Sequence, residues 1–225
     1  QADPTMRRNG TLTFDPPGAF KALAAILLLA LALALPALPL QAQGMQQVRF
    51  QSSAPDRAQL QARLHTPARR GPAPAIVLMH GCGGWQPDVL SALEDYARFF
   101  QANGFVVLNL DSFGPRGNAG GRVCASLGEL ARARDYRTHD AFSALNFLRS
   151  QPFVDGHNVF LVGQSNGGSV AMIAALARTV DRFGAGFRGT VALYPWCGAA
   201  GSNRLNLHAP LMVLGGERDD WTPQR

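Results

Sequence analysis

Residues 162–169 read VGQSNGGS, and this stretch decides how the rest of the chain is interpreted. It contains the pattern G-x-S-x-G, follows the apolar run NVFLV at 158–162, and precedes an apolar, helix-like run. A serine at such a strand-to-helix junction lies on a sharp turn that exposes its hydroxyl, and the flanking glycines permit close backbone packing. The stretch therefore predicts a nucleophile at Ser165, with Gly163 and Gly167 forming the turn. The alternative is a serine that only caps a helix.

Strand-like and helix-like segments alternate on both sides of this turn. The segments typical of strands are 46–52, 72–80, 105–110, 158–163, 189–195 and 210–217, and those typical of helices are 89–104, 129–150 and 166–179. Strands that alternate with helices predict an α/β fold, in which a mostly parallel central sheet has helices on both faces. Ligands in such folds bind beyond the carboxyl ends of the strands.

A glycine-rich loop after an earlier strand is the second candidate component of a site. HGCGG at 80–84 follows the run AIVLM. Glycines keep backbone amides accessible, and a pair of amides can stabilise the oxyanion formed in acyl transfer. We expect the amides of Cys82 and Asn166 to form this oxyanion hole. The alternative is a tight glycine turn without a catalytic role.

Five motifs together resemble a known family. They are VLMHGCGGW (77–85), DSFGPRG (111–117), GQSNGG (163–168), YPWCG (194–198) and GGERDDWTP (215–223). In this order they resemble the dienelactone hydrolase family of α/β-hydrolases, particularly its exported, serine-containing branch. The resemblance implies the α/β-hydrolase fold and hydrolysis of an ester or lactone through an acyl-enzyme, without a metal or organic cofactor. Two departures argue against dienelactone itself as substrate: the best-known members have a cysteine nucleophile, and their oxyanion loop carries a glutamate.

The resemblance also places the catalytic acid. It implies Asp219, after the strand LMVLGG, with Asp220 as the fallback; the alternative is that both aspartates cap a turn. In this fold the base histidine follows the acid in the chain, and no histidine follows Asp219. The histidines are His65, His80, His139, His157 and His208. We therefore expect a chain that is truncated before its last strand, closing helix and catalytic histidine, and that has little activity by itself.

The first 42 residues have the pattern of an export signal. A basic segment precedes the apolar run 22–40, and Ala42 offers a small residue for cleavage. Residues 1–5 precede a methionine and are interpreted as upstream translation or an added segment. The predicted organisation is a signal peptide over 1–42 and a periplasmic or secreted hydrolase domain over 43–225. The alternative is a retained membrane anchor, because the run could nearly cross a bilayer.

Composition and charge limit the function classes. The chain has 225 residues, 47% of them hydrophobic and 16% charged, which fits one globular domain. The net charge is +6, but the arginines are scattered rather than grouped in a stripe with aromatic residues. We expect a small-molecule ester or lactone as partner, and no nucleic acid.

Three cysteines allow one disulfide in an oxidising compartment. Cys82 and Cys124 are the favoured pair because both are expected in loops at the same end of the sheet. The alternatives include Cys197 as a partner, or three small buried thiols.

Four side chains are weaker candidates for substrate binding. Arg116 and Arg122 follow the strand that ends in NLD, and their guanidinium groups could bind a carboxylate. Trp85 and Trp196 could line the acyl pocket. Ordinary surface arginines and packed loop tryptophans are the alternatives.

The sequence thus favours a serine esterase or lactonase that acts through Ser165. Acyl transfer to an alcohol and peptide cleavage are related alternatives on the same scaffold. A catalytically silent binding protein with a hydrolase fold is the alternative from a different class.

Overall fold

The computed structural model describes residues 40–41, 43–201 and 205–220. The predicted signal peptide lies outside the described residues except for residues 40–41. The strands are β1 (Leu40–Gln41), β2 (Gly44–Gln51), β3 (Gln59–Thr66), β4 (Arg69–Arg70), β5 (Ala73–Met79), β6 (Val106–Asp111), β7 (Val154–Gln164), β8 (Gly189–Leu193) and β9 (Leu211–Leu214). The helices are α1 (Pro87–Ala102), α2 (Leu127–Arg149), α3 (Asn166–Ala174) and α4 (Ala177–Phe183), with 3-10 turns at Gly114–Arg116, Arg122–Ala125 and Cys197–Ala200.

Seven strands form the central sheet, in the order β2-β3-β6-β5-β7-β8-β9. The five strands from β6 to β9 in this order pair in parallel, whereas β2 with β3 and β3 with β6 pair antiparallel. β1 and β4 form a separate two-stranded ribbon. The α/β fold with a mostly parallel sheet is therefore confirmed.

Strand β5 shows why the predicted strands are continuously apolar. Val77 packs in the cluster that includes Leu145 of α2, whereas Ile76 and Leu78 pack with Leu93 of α1. Because helices cover both faces of the sheet, successive residues of a central strand are all buried. No helix in the described part of the chain is both long enough and apolar enough to cross a membrane.

The structure differs from the sequence prediction at β3, which was not expected. Along Gln59–Thr66 polar and apolar residues alternate at first, and Leu60, Ala62 and Leu64 are buried. The strand pairs antiparallel with β6. The apolar residues of this segment therefore do recur at every second position. The polar residues between them make the segment unlike the continuously apolar strands of the sheet centre, so the sequence did not indicate a strand here.

The predicted single helix over 166–179 is instead two helices. α3 ends at Ala174, and Leu176 is extended, with ψ of 135°. Leu176 forms a bridge with Leu207, and the backbone amide of Ala177 donates to the carbonyl oxygen of Asn206 at 2.9 Å. A distant segment thus satisfies the backbone at the break, which local propensity does not reveal.

Candidate active site

Ser165 lies on a strained turn between β7 and α3. Its backbone has φ of 51° and ψ of −114°, a region that costs a non-glycine residue about 1–3 kcal/mol. Its amide donates to the carbonyl oxygen of Leu193 at 2.8 Å, and its carbonyl oxygen accepts from the amide of Ser169 at 2.9 Å. The turn therefore has the strand-turn-helix geometry expected from the sequence, and the side chain is partly exposed.

The flanking glycines are needed because backbone passes against them. A Cβ on Gly163 would lie 2.1 Å from the carbonyl oxygen of Gly167, and one on Gly167 would lie 2.6 Å from the carbonyl oxygens of both Met79 and His80. These separations exclude any side chain. The turn at Ser165 is thereby packed directly against the end of β5.

The glycine-rich loop lies beside the serine. A Cβ built on Gly81 would be 3.3 Å from Cβ and 3.9 Å from Oγ of Ser165. Cys82 follows Gly81 in this loop, and Asn166 opens α3, whose first turn lacks intrahelical acceptors for its amides. Of the two residues expected to form an oxyanion hole, Asn166 therefore follows Ser165 in the chain and Cys82 follows Gly81, which lies beside Ser165.

A disulfide joins Cys82 to Cys124, as the sequence favoured. It ties the glycine-rich loop to the 3-10 turn at Arg122–Ala125, and the two cysteines are 42 residues apart in the chain. Cys197 is not part of this bond; its Sγ lies 3.9 Å from the carbonyl oxygen of Pro195.

We expect reduction of this disulfide, or replacement of Cys124 by serine, to lower the free energy of unfolding by about 2–4 kcal/mol. Cross-linking residues this far apart restricts the unfolded chain. Urea unfolding with and without reductant would measure the effect, with Cys197→Ser as the matched control. An unfolding midpoint that reductant does not change would contradict the prediction.

The largest fully buried side chain in the described residues belongs to Arg137 of α2. Its Nη1 donates to Oδ1 of Asn166 at 2.8 Å, and its Nη2 donates to the carbonyl oxygen of His80 at 2.6 Å. The guanidinium also packs 4.8 Å from the ring centroid of Phe113. Arg137 thus links Asn166, which follows Ser165, to His80, which begins the glycine-rich loop.

Burying the charged guanidinium of Arg137 costs free energy. Burial lowers the pKa of Arg137 to about 10, so the group is still protonated at neutral pH. No described carboxylate lies within ion-pair distance of it, and its Nε has no described acceptor. A buried charge without an ion pair is rare. The hydrogen bonds to Asn166 and to the backbone of His80 are what hold this guanidinium in place.

The imidazole of His80 is also buried, and it is neutral. Burial, and then the nearby charge of Arg137, holds its pKa well below the ordinary value. Its Nδ1 donates to the carbonyl oxygen of Gly81 at 2.7 Å, and its Nε2 accepts from the amide of Ser112 at 3.3 Å. Because both ring nitrogens are engaged, this ring has no atom left to accept the proton of Ser165.

The other four histidines lie elsewhere. His65 contacts Glu94 at 3.2 Å under α1, and His139 lies 3.3 Å from Oγ of Ser53. His157 is exposed in β7, and His208 is exposed before β9. Among the residues that the structure describes, no hydrogen bond joins any imidazole to Ser165.

Asp219 and Asp220 lie beyond the same edge of the sheet as Ser165. The strand register aligns Gln164 with Leu193 and Leu193 with Leu214, so β7, β8 and β9 end side by side. The amide of Asp219 donates to the carbonyl oxygen of Gly216 at 3.2 Å in the turn that follows. Asp219 is half-buried and Asp220 is exposed.

Arg116 is a correction to the sequence prediction of substrate binding. All five of its guanidinium N–H groups are used, on Asp56, on Asp140 and on the carbonyl oxygen of Ser112. It also lies 4.2 Å from the ring centroid of Tyr136. With no donor left for a ligand, Arg116 instead ties the loop after β6 to α2 and to the turn after β2.

The two tryptophans have different positions. Trp85 packs beside the cluster under α1, and Arg63 lies 5.5 Å from its ring centroid. The amide of Trp196 donates to Oγ of Ser169 at 3.1 Å, and Ser169 lies one helical turn after Ser165. Of these two tryptophans, only Trp196 is thereby placed beside α3, the helix that follows Ser165.

Arg122 is exposed and donates to the carbonyl oxygen of Gly117.

Sequence reasoning did not find Arg137. The available signal was its spacing in α2, four residues after Ala133 and four before Ala141, both buried. An arginine in the apolar stripe of a helix indicates a buried cation with a particular partner. In the described part of the chain, no group of three or more His, Cys, Asp or Glu residues is placed to hold a metal ion.

The chain is similar to known proteins in sequence and in fold. The model of the family described as the dienelactone hydrolase family matches residues 60–225. A search of curated protein sequences found no significant match. The solved structure of a putative dienelactone hydrolase from Klebsiella pneumoniae subsp. pneumoniae MGH 78578 has a TM-score of 0.58 at 16% identity, over 80% of this chain and 76% of that chain.

Two further solved structures are similar. A protein designated m3DLH has a TM-score of 0.59 at 19% identity, over 80% of this chain and 72% of that chain. An acetyl xylan esterase from Paenibacillus sp. R4 has a TM-score of 0.51 at 21% identity, over 77% of this chain and 58% of that chain. At these identities the structural likeness shows the fold alone.

Proposed function

The chain belongs to the dienelactone hydrolase family, and from that premise we propose that it hydrolyses a carboxylic ester or lactone through an acyl-enzyme on Ser165. The observation that carries the proposal is the strained backbone of Ser165 beside the glycine-rich loop, where a Cβ added to Gly81 would lie 3.3 Å from Cβ of Ser165. Strain of this kind persists where the surrounding structure enforces it, and it is typical of a nucleophile turn. The family and the esterase among the structural neighbours support a hydrolase of the ester type.

The reaction has two steps. Oγ of Ser165 bonds to the ester carbonyl carbon while its proton passes to a base, and the resulting oxyanion accepts from the amides of Cys82 and Asn166. The alkoxide leaves with the proton from the base. Water, deprotonated by the same base, then attacks the acyl-enzyme and releases the acid and Ser165. Asp219 orients the base and stabilises its protonated form.

The base is assigned outside the five histidines of residues 1–225. His80 is fully engaged, and the other four lie away from Ser165. The proposal therefore requires a histidine from sequence that is not among these residues, held against Asp219.

Arg137 is assigned as a positioning residue of the oxyanion hole. Its two hydrogen bonds hold the side chain of Asn166 and the backbone of His80, each next to one of the two proposed donors. The side chain of Asn166 also donates to the carbonyl oxygen of Leu130 at 3.1 Å. These contacts fix both sides of the oxyanion hole relative to α2.

Export remains a prediction from residues 1–42. The disulfide between Cys82 and Cys124 supports it, because such bonds persist mainly in oxidising compartments. The mass of the N terminus of the exported protein would test cleavage after Ala42.

The test of the proposed function begins with the DNA sequence of the gene through and beyond codon 225. The product of the complete gene is then treated with an aryl fluorophosphonate, which labels activated serines, and its peptides are mapped by mass spectrometry. We expect one labelled site, Ser165, and loss of aryl ester hydrolysis in step with labelling. A reading frame that stops at codon 225, together with an unlabelled Ser165, would replace the enzyme with the silent binding protein.

A further inference from the structure

A cavity of about 370 Å³ lies between α2, α3 and α4, and positive side chains dominate its lining. Arg134 reaches it from α2, and Arg178 and Arg182 reach it from α4. Among the described lining residues Asp135 supplies the one carboxylate, and it forms no ion pair with these arginines. We call this group the arginine cavity, and no step of the proposed reaction uses it.

Most of the hydrogen-bond donors of these arginines have no acceptor among the described residues. Arg178 donates from Nη2 to the carbonyl oxygen of Ala200 at 3.2 Å, and Arg182 donates from Nη2 to Nε2 of His139 at 3.1 Å. Within the described residues no other donor of the three guanidinium groups has an acceptor. Arg116 is the contrast in the same protein, because all five of its donors are used.

No ion pair joins these three arginines to a carboxylate among the described residues. Arg178 and Arg182 are four residues apart, so they lie on the same face of α4, where like charges repel. Arg134 is half-buried, and this burial lowers its pKa below the ordinary value, with no described carboxylate within ion-pair distance. A bound anion would relieve both costs.

The arginine cavity lies along α3, the helix that follows Ser165. Ile173 lines the cavity and is eight residues after Ser165, about 12 Å along α3. The Arg134 guanidinium stacks 4.6 Å from the ring centroid of Trp196, whose amide is bound to Ser169. Trp196 thus lies between the cavity and the turn at Ser165.

We propose that the arginine cavity binds an oxyanion group, that is, a sulfate, a phosphate or a carboxylate. Guanidinium groups suit such groups because two parallel N–H donors match two oxygens. The source is either a free inorganic ion or the charged end of a ligand whose ester lies at Ser165. Binding itself does not depend on the proposed function.

Titration with sodium sulfate, against sodium chloride at equal ionic strength, tests the site in the complete gene product. We expect a saturable change in tryptophan fluorescence, because an anion would draw Arg134 from the ring of Trp196, and a rise in thermal midpoint. In Trp196→Phe the fluorescence change should be lost while the rise in midpoint remains. Equal responses to sulfate and chloride would overturn the proposal.

Substitutions of single arginines test whether sulfate binds in the arginine cavity. Arg134→Gln and Arg182→Gln should each weaken sulfate binding about tenfold or more, the effect of losing a charge-assisted hydrogen bond. Arg188→Gln, which removes one exposed arginine away from the cavity, should leave the dissociation constant within about twofold. Equal weakening in all three would mean general charge attraction and would overturn the proposal. If Arg134→Gln does not fold, the exposed Arg182 carries the test.

Two aryl esters of the same long acyl chain distinguish the sources, one ending in a carboxylate and one in its methyl ester. If the cavity binds the end of the substrate, Arg134→Gln lowers kcat/KM about tenfold for the charged ester alone. If both esters are unaffected while sulfate binding is lost, the ligand is a free anion. If the parent protein hydrolyses neither ester, the proposed function fails, and the sulfate titration still decides the site.

Discussion

Replacing Ser165 with alanine is expected to lower turnover of a simple aryl ester by about a millionfold in the complete gene product. Removing a triad serine leaves no atom to form the acyl-enzyme, and losses of this size follow in serine hydrolases. Stopped-flow and steady-state hydrolysis of an aryl acetate would measure it. Ser150→Ala, a change of the same size at an exposed helix end, is the matched control and should keep the parent rate.

The same position offers an independent readout through its backbone. Ser165→Gly should be as inactive as Ser165→Ala, yet more stable than the parent by about 1 kcal/mol, because glycine adopts φ of 51° without strain. Ser165→Ala keeps the strain and should unfold at nearly the parental urea concentration. Activity above about a hundredth of the parent in either variant would show that Ser165 is not the nucleophile.

Replacing Arg137 with lysine is expected to lower kcat about a hundredfold and to leave KM within about threefold. A lysine ammonium cannot reach both the carbonyl of His80 and Oδ1 of Asn166 with the fork that arginine provides. Misplacing an oxyanion donor costs transition-state stabilisation, about 10²–10³ in rate, and much less ground-state binding. Steady-state kinetics at saturating and limiting ester would separate the two parameters.

A double-mutant cycle separates positioning from a purely structural role. Asn166→Ala keeps the backbone amide but removes the side-chain acceptor of Arg137. If Arg137 acts through Asn166, the double variant should have nearly the kcat of the slower single variant rather than the product of both losses. If kcat per folded molecule stays at the parent value in Arg137→Lys, its role is structural only.

Arg116→Lys is the matched control for Arg137→Lys. Arg116 is also shielded from solvent and fully hydrogen-bonded, but its partners are Asp56 and Asp140. We expect a loss of stability with kcat unchanged. Together the two variants distinguish an arginine that holds the site from one that holds a loop.

The turn at Ser165 was predictable because its requirements are local. Gly163, Ser165 and Gly167 occupy fixed positions between an apolar strand and an apolar helix, and the backbone strain at Ser165 follows from that junction. The disulfide between Cys82 and Cys124 was favoured on similar grounds, since both cysteines follow predicted strands and parallel strands end at one edge of the sheet.

Other features depended on partners that are distant in the chain. The helix break at Leu176 needs Leu207, and β3 needs β6 to be recognisable as a sheet member. Arg116 looked available for a substrate until Asp56 and Asp140, 60 and 24 residues away, were seen to use its donors. A single sequence contains these residues but does not show which of them the fold brings into contact.

By itself the sequence determined the fold class, the alternation of the parallel strands with their helices apart from β3 and the break at Leu176, and the serine on which the proposed chemistry rests. These features were predictable because apolar periodicity and glycine placement are local patterns that span only a few residues. Only the tertiary structure decided that Arg137 is buried between Asn166 and the start of the glycine-rich loop at His80, that Arg116 is occupied, and that three arginines converge on one cavity. Charges act through space, so their roles depend on which distant groups the fold brings within reach.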